Sequence, residues 1–278
     1  MSSYRFCRTD DVTLLVDALN RCWSPHFPDE PAVTPASFKR SIRDLQVWCS
    51  SCMVAFAGSD PIAVLIGAKR PSGTLIHKIA VHPDHLRQGH GRHLLTSLSS
   101  KLAILGPPRM IAEVPETFAP AGALFSACGY VEEARLTDYA LEVDETAVEP
   151  AGIVIPMTID DLAANDLLGD HPQTCWERSV ETLTARKDEI EGLAVASDES
   201  IEALVLYLKD EQILSLRSFI EDGGARMTQL LAQLRARGMT TLRFPKVHPA
   251  EISTELLEML GFRPAGKHLL YAAKARSA

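Results

Sequence analysis

Long apolar runs are missing from this sequence. The longest, Pro61 to Ala68, falls far short of the roughly 18 residues a membrane helix needs, so no membrane span is expected. The first residues, Met1 to Asp11, have neither the basic start nor the apolar stretch of a secretion signal, and a cytoplasmic address is expected. Positive charge is also scarce. With 28 Lys and Arg against 36 Asp and Glu, the net charge is −8 and the isoelectric point about 5.6. That balance speaks against a nucleic-acid binder, whose affinity comes from clustered cations, and confines any anion site to a local feature. Six cysteines are too dilute for a disulfide scaffold. The one CxxC, Cys49 to Cys52, has no second pair at zinc spacing. Beside Trp48 and the apolar run Met53 to Phe56, it reads as two ordinary part-buried thiols.

What is present is an ordinary globular composition, 46% hydrophobic and 23% charged, in 278 residues, a length that suits two domains. The first half reads as a strand at Tyr4 to Cys7 and a helix carrying Val12, Leu14, Leu15, Ala18 and Leu19. A Pro-rich loop from Pro25 to Pro35 and a second helix with Phe38, Ile42 and Leu45 follow. Three strands come next, Met53 to Phe56, Ile62 to Ala68 and Leu75 to Val81, divided by turn residues at Gly58 to Pro61 and Pro71 to Gly73. A helix then begins near Gly89-His90-Gly91 and sets Leu94, Leu95, Leu98 and Leu102 on one face. Arg109 to Val114 reads as a strand, Ala119 to Cys128 as a helix stopped by Gly129, and Leu136 to Val143 as a last strand.

The order then recurs. Thr158-Ile159-Asp160-Asp161-Leu162 echoes Arg8-Thr9-Asp10-Asp11-Val12, and Leu256 to Phe262 echoes Leu124 to Tyr130, with Tyr271 as far beyond Gly261 as Tyr139 is beyond Gly129. Between these anchors, Gly223-Gly224 precedes a helical face of Met227, Leu230, Leu231 and Leu234. Two copies of one mixed α/β unit are expected, joined around Asp144 to Gly152, with domains at 1–145 and 152–278.

One segment carries chemistry. From Ile79 to Arg92 the chain reads as a strand, a turn and a helix that starts at two glycines. Amides at a helix start lack intrahelical partners, the macrodipole is positive there, and glycines let an anion come close, so the segment suits a phosphate-bearing ligand. Arg87 and Arg92 add positive charge. Neither a third glycine for a dinucleotide fingerprint nor a GxxxxGK[ST] run is present.

Val81-x-Pro83, then Arg87-Gln88-Gly89-His90-Gly91-Arg92-x-Leu94-Leu95, then Ala121-x-x-Leu124-Phe125-x-x-x-Gly129-Tyr130, resembles in order and spacing the GNAT superfamily of acyl-CoA N-acyltransferases. The resemblance covers residues 4–143 by motif order and 153–273 with an eroded motif. It implies an α/β (α+β) protein of two tandem GNAT-like domains, each a mixed, mostly antiparallel sheet flanked by helices, with the fourth and fifth strands splaying apart. It also implies acetyl-CoA as co-substrate. Its pantetheine would pair with main-chain groups of Ile79, Ala80 and Val81, and its pyrophosphate would sit on the amides of Arg87, Gln88, Gly89, His90, Gly91 and Arg92. The implied reaction is attack of an amine on the thioester carbonyl, with a donor such as the Val81 amide at the oxyanion.

The sequence departs from that family at the proton-handling positions. Phe125 stands where many relatives have a tyrosine, Phe118 replaces a common asparagine, Leu75 replaces a strand glutamate, and Leu86 opens the phosphate loop. His77 on the fourth strand and Glu113 on the fifth are the candidates to take over as base, an ordinary imidazole pKa near 6.5 suiting that role. A thiol of pKa about 8.5 leaves acceptably without a protein acid.

His82, His85, His90 and His93 lie close together, but a loop wrapped around a phosphate turns side chains outward, so surface histidines and no metal are expected. In the second copy, Glu221 and Asp222 stand where an anion would bind, which argues against CoA there and for a domain that covers the first one's acceptor cleft. Trp176, near Pro172 and Arg178, is a candidate to line such a cleft. Expected partners are a small-molecule or peptide amine, with no nucleic acid and no membrane. An oligomer interface could use Cys22, Trp23 and Phe27. Rival readings are an enzyme with a longer acyl-CoA or another acceptor nucleophile, and a catalytically silent acyl-CoA sensor or scaffold. The last is motivated by Phe125, Phe118 and Leu75.

Overall fold

A computed structural model describes residues 2–142, 153–169 and 174–276. The chain divides into two compact units, residues 1–134 with 269–278, and residues 135–268. The division expected at 1–145 and 152–278 is contiguous, whereas in these units the last segment of the chain lies in the first and the segment after Ala134 lies in the second. The physical reason is the length of two strands, β6 (Val131–Glu142) and β12 (Arg263–Lys274), each of which runs from one unit into the other. The expected junction, Asp144 to Gly152, lies outside the described residues.

In the first unit, β1 (Ser2–Phe6), β2 (Met53–Ala57), β3 (Asp60–Arg70) and β4 (Gly73–Val81) pair antiparallel in that order. β4 then meets β5 (Arg109–Pro115) in parallel at only two positions, Thr74 with Met110 and Leu75 with Ile111, and β12 lies on the far side of β5. Between them run helices α1 (Val12–Cys22), α2 (Pro35–Leu45), α3 (His90–Leu105) and α4 (Ala119–Ala127). The apolar stripe of α3, Leu94, Leu95, Leu98 and Leu102, packs with Ala63, Leu65, Ile76, Phe125 and Tyr271 in one core. Burying each of those leucines contributes about 1.5–3 kcal/mol. α1 packs on β3 with Leu15, Ala18, Leu19 and Cys22 buried. Cys22 is fully buried and so unavailable to an oligomer interface.

In the second unit, β7 (Ile153–Met157), β8 (Glu191–Ala196), β9 (Ile201–Tyr207) and β10 (Ile213–Ser218) form an antiparallel sheet. β11 (Thr241–Val247) pairs antiparallel with β6, and β12 is the other neighbour of β6. Among the described residues, no ladder joins β10 to β11; an isolated parallel bridge pairs Gln212, just before β10, with Arg243, so the two strands part there as β4 and β5 do. Helix α7 (Ala225–Ala236) buries Leu230, Leu231 and Leu234 with Phe244 and Phe262. α5 (Ile159–Ala164) and α6 (Val180–Ala185) cover a second core with Leu204 and Leu206, and α8 (Thr254–Met259) precedes β12. Arg178, with no exposed side-chain surface, makes a two-pronged bond to Glu251 at 2.6 and 2.7 Å. It also donates to the carbonyls of Leu214 and Lys246, and its guanidinium lies 4.7 Å from the Phe244 ring centre. Trp176 is buried beside it, a core residue and not a ligand platform. Pro172 lies outside the described residues.

All six cysteines are free thiols. Burial pushes the Cys22 thiol up to about 12 and raises that of Cys52, whose Sγ donates to the Trp48 carbonyl at 3.3 Å. These thiols stay protonated at neutral pH.

Candidate active site

The split between β4 and β5 opens because only the first residues of β4 pair with β5. On its other edge β4 is held by β3, where Ala63 faces Val81, Val64 faces Ala80 and Leu65 faces Ile79. The His82 amide donates to the Ile62 carbonyl at 2.8 Å, which fixes the alternation: Ala80 exchanges its hydrogen bonds with Val64, while the main-chain groups of Ile79 and Val81 turn toward the split. Of the three residues expected to pair with pantetheine, Ala80 therefore has its main chain engaged by β3. The Val81 carbonyl accepts from His26 Nε2 at 2.8 Å, which leaves its amide directed at the split.

The register slips between Ile66 and Gly67, which face Lys78 and Ile76, so His77 is the extra residue of a β-bulge. The bulge explains how Ile76 and Ile79 pack against the same core, which strict alternation forbids. It also turns the run Ile76 to Ile79 toward one open cleft of about 520 Å³. His77 and Glu113 both line this cleft, together with Ala112 and Val114 of β5 and Ala121 and Phe125 of α4.

Past β4, the chain makes a short turn of 3-10 helix at Pro83–His85, passes Arg87 at φ 63°, and starts α3 behind Gly89 at φ 86°. The left-handed conformation at Gly89 is one that a side chain strains. The first backbone bond of the helix runs from the His93 amide to the Gly89 carbonyl at 3.0 Å. Among the described residues, the amides of Arg87, Gln88, Gly89, His90, Gly91 and Arg92 have no hydrogen-bond acceptor. Arg87, Gln88 and Arg92 are exposed. A Cβ at Gly91 would lie 3.0 Å from Leu124 of α4, so the glycine lets the two helices close on each other beside the split. A cradle of free amides with open space at Gly89 suits a diphosphate.

His90 differs from its surface expectation. Its ring is buried, Nδ1 lies 2.7 Å from the Tyr4 hydroxyl, and Nε2 has no partner among the described residues. Burial, then the neighbouring His85 and His93, hold its pKa below the ordinary imidazole value. Only its amide faces the loop's free side. The histidine rings do not converge: His82 and His85 are 6.0 Å apart and His85 and His90 6.2 Å apart, while His93 lies against Tyr4. Among the described residues, no group of three or more His, Cys, Asp or Glu comes together to hold a metal ion.

Sequence reasoning missed the opposite wall. The loop after α1 brings Trp23, Phe27 and Glu30 over the cleft, and Phe118 at the start of α4 meets them. Trp23 stacks on Phe27 with ring centres 4.2 Å apart, and Phe27 lies 5.3 Å from Phe118. Lys78 Nζ sits 3.9 Å over the Trp23 ring and 3.1 Å from Glu30 Oε2, which also accepts from Trp23 Nε1 at 2.9 Å. Asn20 of α1 closes the loop with a reciprocal pair of 2.8 Å bonds to Val33. The signal was the pairing of Trp23 and Phe27 with a Pro-rich segment too long for a plain turn. Both rings line the cleft.

The second unit repeats the loop with one change. α7 also starts behind a glycine in the left-handed region, Gly224 at φ 88°. There the Asp222 carboxylate accepts from the Gly224 amide at 3.0 Å and the Arg226 amide at 2.7 Å. Its own side chain occupies the position an external anion would take.

Residues 12–130 match the model of the acetyltransferase (GNAT) family. No curated protein matches the chain. Among solved structures, a tandem GNAT protein from the clavulanic acid biosynthesis pathway aligns over 100% of both chains, with 15% identity and a TM-score of 0.68. A GCN5-related N-acetyltransferase from Sphaerobacter thermophilus aligns over 99% of this chain and 96% of its own, with 14% identity and a TM-score of 0.66. Another from Anabaena variabilis covers 99% of this chain and 73% of its own, with 10% identity and a TM-score of 0.67. Identities this low establish shared fold alone. Residues 12–130 thus match the acetyltransferase (GNAT) family model, within a chain that shares its fold with a tandem GNAT protein along its whole length.

Proposed function

We propose that this protein is an N-acetyltransferase that moves an acetyl group from acetyl-CoA to an amine. The observation that carries the reading is the run of unpartnered amides from Arg87 to Arg92, set at the open end of the β4/β5 split. Those amides, with Arg87 and Arg92, hold the diphosphate. Ile79 and the Val81 amide take the pantetheine and the thioester end, and the Val81 amide donates to the oxyanion as the carbonyl is attacked. The amine loses its proton to His77 or Glu113, directly or through water. Its nitrogen bonds the carbonyl carbon, the C–S bond breaks, and the pair leaves on sulfur as thiolate. Phe125 has no hydroxyl to protonate it, and the Tyr130 hydroxyl is turned to the Met110 sulfur at 3.8 Å, with burial raising its pKa. Solvent supplies that proton. The six free thiols support a reducing, cytoplasmic setting.

Acetyl-CoA binding by calorimetry and CoA release with a panel of amines test this reading. Arg92→Glu is the clean probe of the loop, because Arg92 is exposed while a side chain at Gly89 is strained and one at Gly91 meets Leu124. It is expected to weaken acetyl-CoA binding at least tenfold and leave the melting temperature unchanged; unaltered affinity refutes the loop assignment. Replacing the residue that acts as base lowers kcat by about 100-fold or more. A His77→Ala variant with the parent pH–rate profile leaves that role to Glu113. The second reading, a silent acyl-CoA sensor, is favoured by Phe125 and Phe118 and gains if acetyl-CoA binds but no amine releases CoA. Leu75 carries no weight for it, since that side chain is buried in the sheet.

A further inference from the structure

The cleft's lining selects among amines. Among the described residues, none of those that line it is Ser, Thr, Asn, Gln or Tyr. It therefore offers no neutral hydroxyl or amide side chain to match the hydroxyls of a sugar, and with only His77, Lys78 and two carboxylates as polar side chains a polyhydroxylated acceptor would replace few of its hydrogen bonds to water. One wall is aromatic, built from Trp23 against Phe27 and Phe27 against Phe118, and the floor between Ile76 and Val114 is aliphatic. Two lining groups are carboxylates, Glu30 and Glu113. The one ammonium among the lining residues, Lys78, is already bonded to Glu30 and seated on the Trp23 ring. With two carboxylates against one ammonium the lining carries net negative charge, which together with the ring faces favours an incoming cation over an incoming carboxylate.

We propose that the acceptor is a small primary amine on an apolar, aromatic body, with no carboxylate beside the amino group. This rests on the acetyltransferase reading and narrows its substrate. The ring packs against Phe27 and Phe118, and the amino group enters as ammonium toward His77 and Glu113, where it loses its proton.

The test uses the full chain with acetyl-CoA and four acceptors: 2-phenylethylamine, phenylalanine, glucosamine and spermidine. CoA release is followed and the acetylated product is weighed by mass spectrometry. The expected result is a kcat/KM for 2-phenylethylamine at least about tenfold above each of the other three. Phe118→Ala should raise KM for 2-phenylethylamine roughly tenfold and leave KM for acetyl-CoA unchanged, as expected for loss of one packed aromatic contact. If phenylalanine, glucosamine or spermidine is used as well or better, the inference is overturned and acetyl transfer stands. If acetyl-CoA binds but none of the four is acetylated, the inference is overturned, and the wider panel of amines and peptides decides whether acetyl transfer stands. Should Phe118→Ala fold poorly, the unmodified chain's ranking of the four acceptors decides alone.

Discussion

At the scale of single residues, the echo between Asp11 and Asp161 has a physical basis. Asp161 accepts from the Thr158 amide at 2.9 Å, and its own amide donates to the Thr158 hydroxyl at 3.1 Å, the reciprocal cap of α5. Asp11, at the start of α1, instead takes both Arg5 guanidinium nitrogens, at 2.7 and 2.9 Å, and the Arg8 amide at 2.7 Å. The Arg5 bond, then the Arg8 amide, hold its carboxyl at about 2. Its folded pKa lies below the ordinary carboxylate value, so the stabilisation is complete above about pH 4 and is lost as pH falls through 2. Because Arg5 is 44% exposed, screening leaves the pair about 0.5–1 kcal/mol. Asp11→Asn is accordingly expected to melt a few degrees below the parent at pH 7, and the gap should narrow steadily below pH 4. A gap that is constant from pH 7 to pH 3 would show that the carboxylate charge contributes nothing.

Among the elements, α3 and α7 show what pattern reading reaches and where it stops. Both helices, their apolar stripes and the glycines at their starts follow from periodicity and turn chemistry alone, as does the order of strands around them. Local signals suffice for these. The bulge at His77 and the engagement of Ala80 by Val64 depend on register between β3 and β4, which no single strand encodes. The wall of Trp23, Phe27 and Glu30 depends on contacts with Lys78 and Phe118, far along the chain. Acidic residues in the second loop were legible, but not that Asp222 folds onto the amides of its own helix. From that contact, CoA binding is expected at one site per chain, and Arg92→Glu should weaken that one site and leave no second site of unaltered affinity. Asp222→Ala should cost α7 about 1 kcal/mol of stability, the ordinary value of a lost helix cap. Calorimetry returning two sites per chain would contradict this account of the second loop.

For the whole molecule, the decisive feature is that sequence halves and folding units differ. The repeat locates two copies, but it does not reveal that the last segment of the chain joins the first unit, because strand length and partner choice are settled by tertiary packing. The first unit draws Tyr271 and Ala275 into its core, with the Tyr271 ring stacked 5.9 Å from Phe125, and β5 has β12 as its neighbour. A fragment of residues 1–145 lacks all of these. Losing one buried aromatic side chain forgoes about 1.5–3 kcal/mol, and an unpaired β5 edge adds to that, against a total stability of about 5–15 kcal/mol for a typical domain. The fragment is expected to lack a cooperative thermal transition or to melt at least about 10 °C below the full chain. Adding a synthetic peptide of residues 263–276 should restore a cooperative melt, whereas a peptide carrying Tyr271→Ala should restore less. Circular dichroism on the three samples decides it. A fragment that melts cooperatively at the temperature of the full chain, with no response to the peptide, would mean that the first unit closes its sheet without the C-terminal strand.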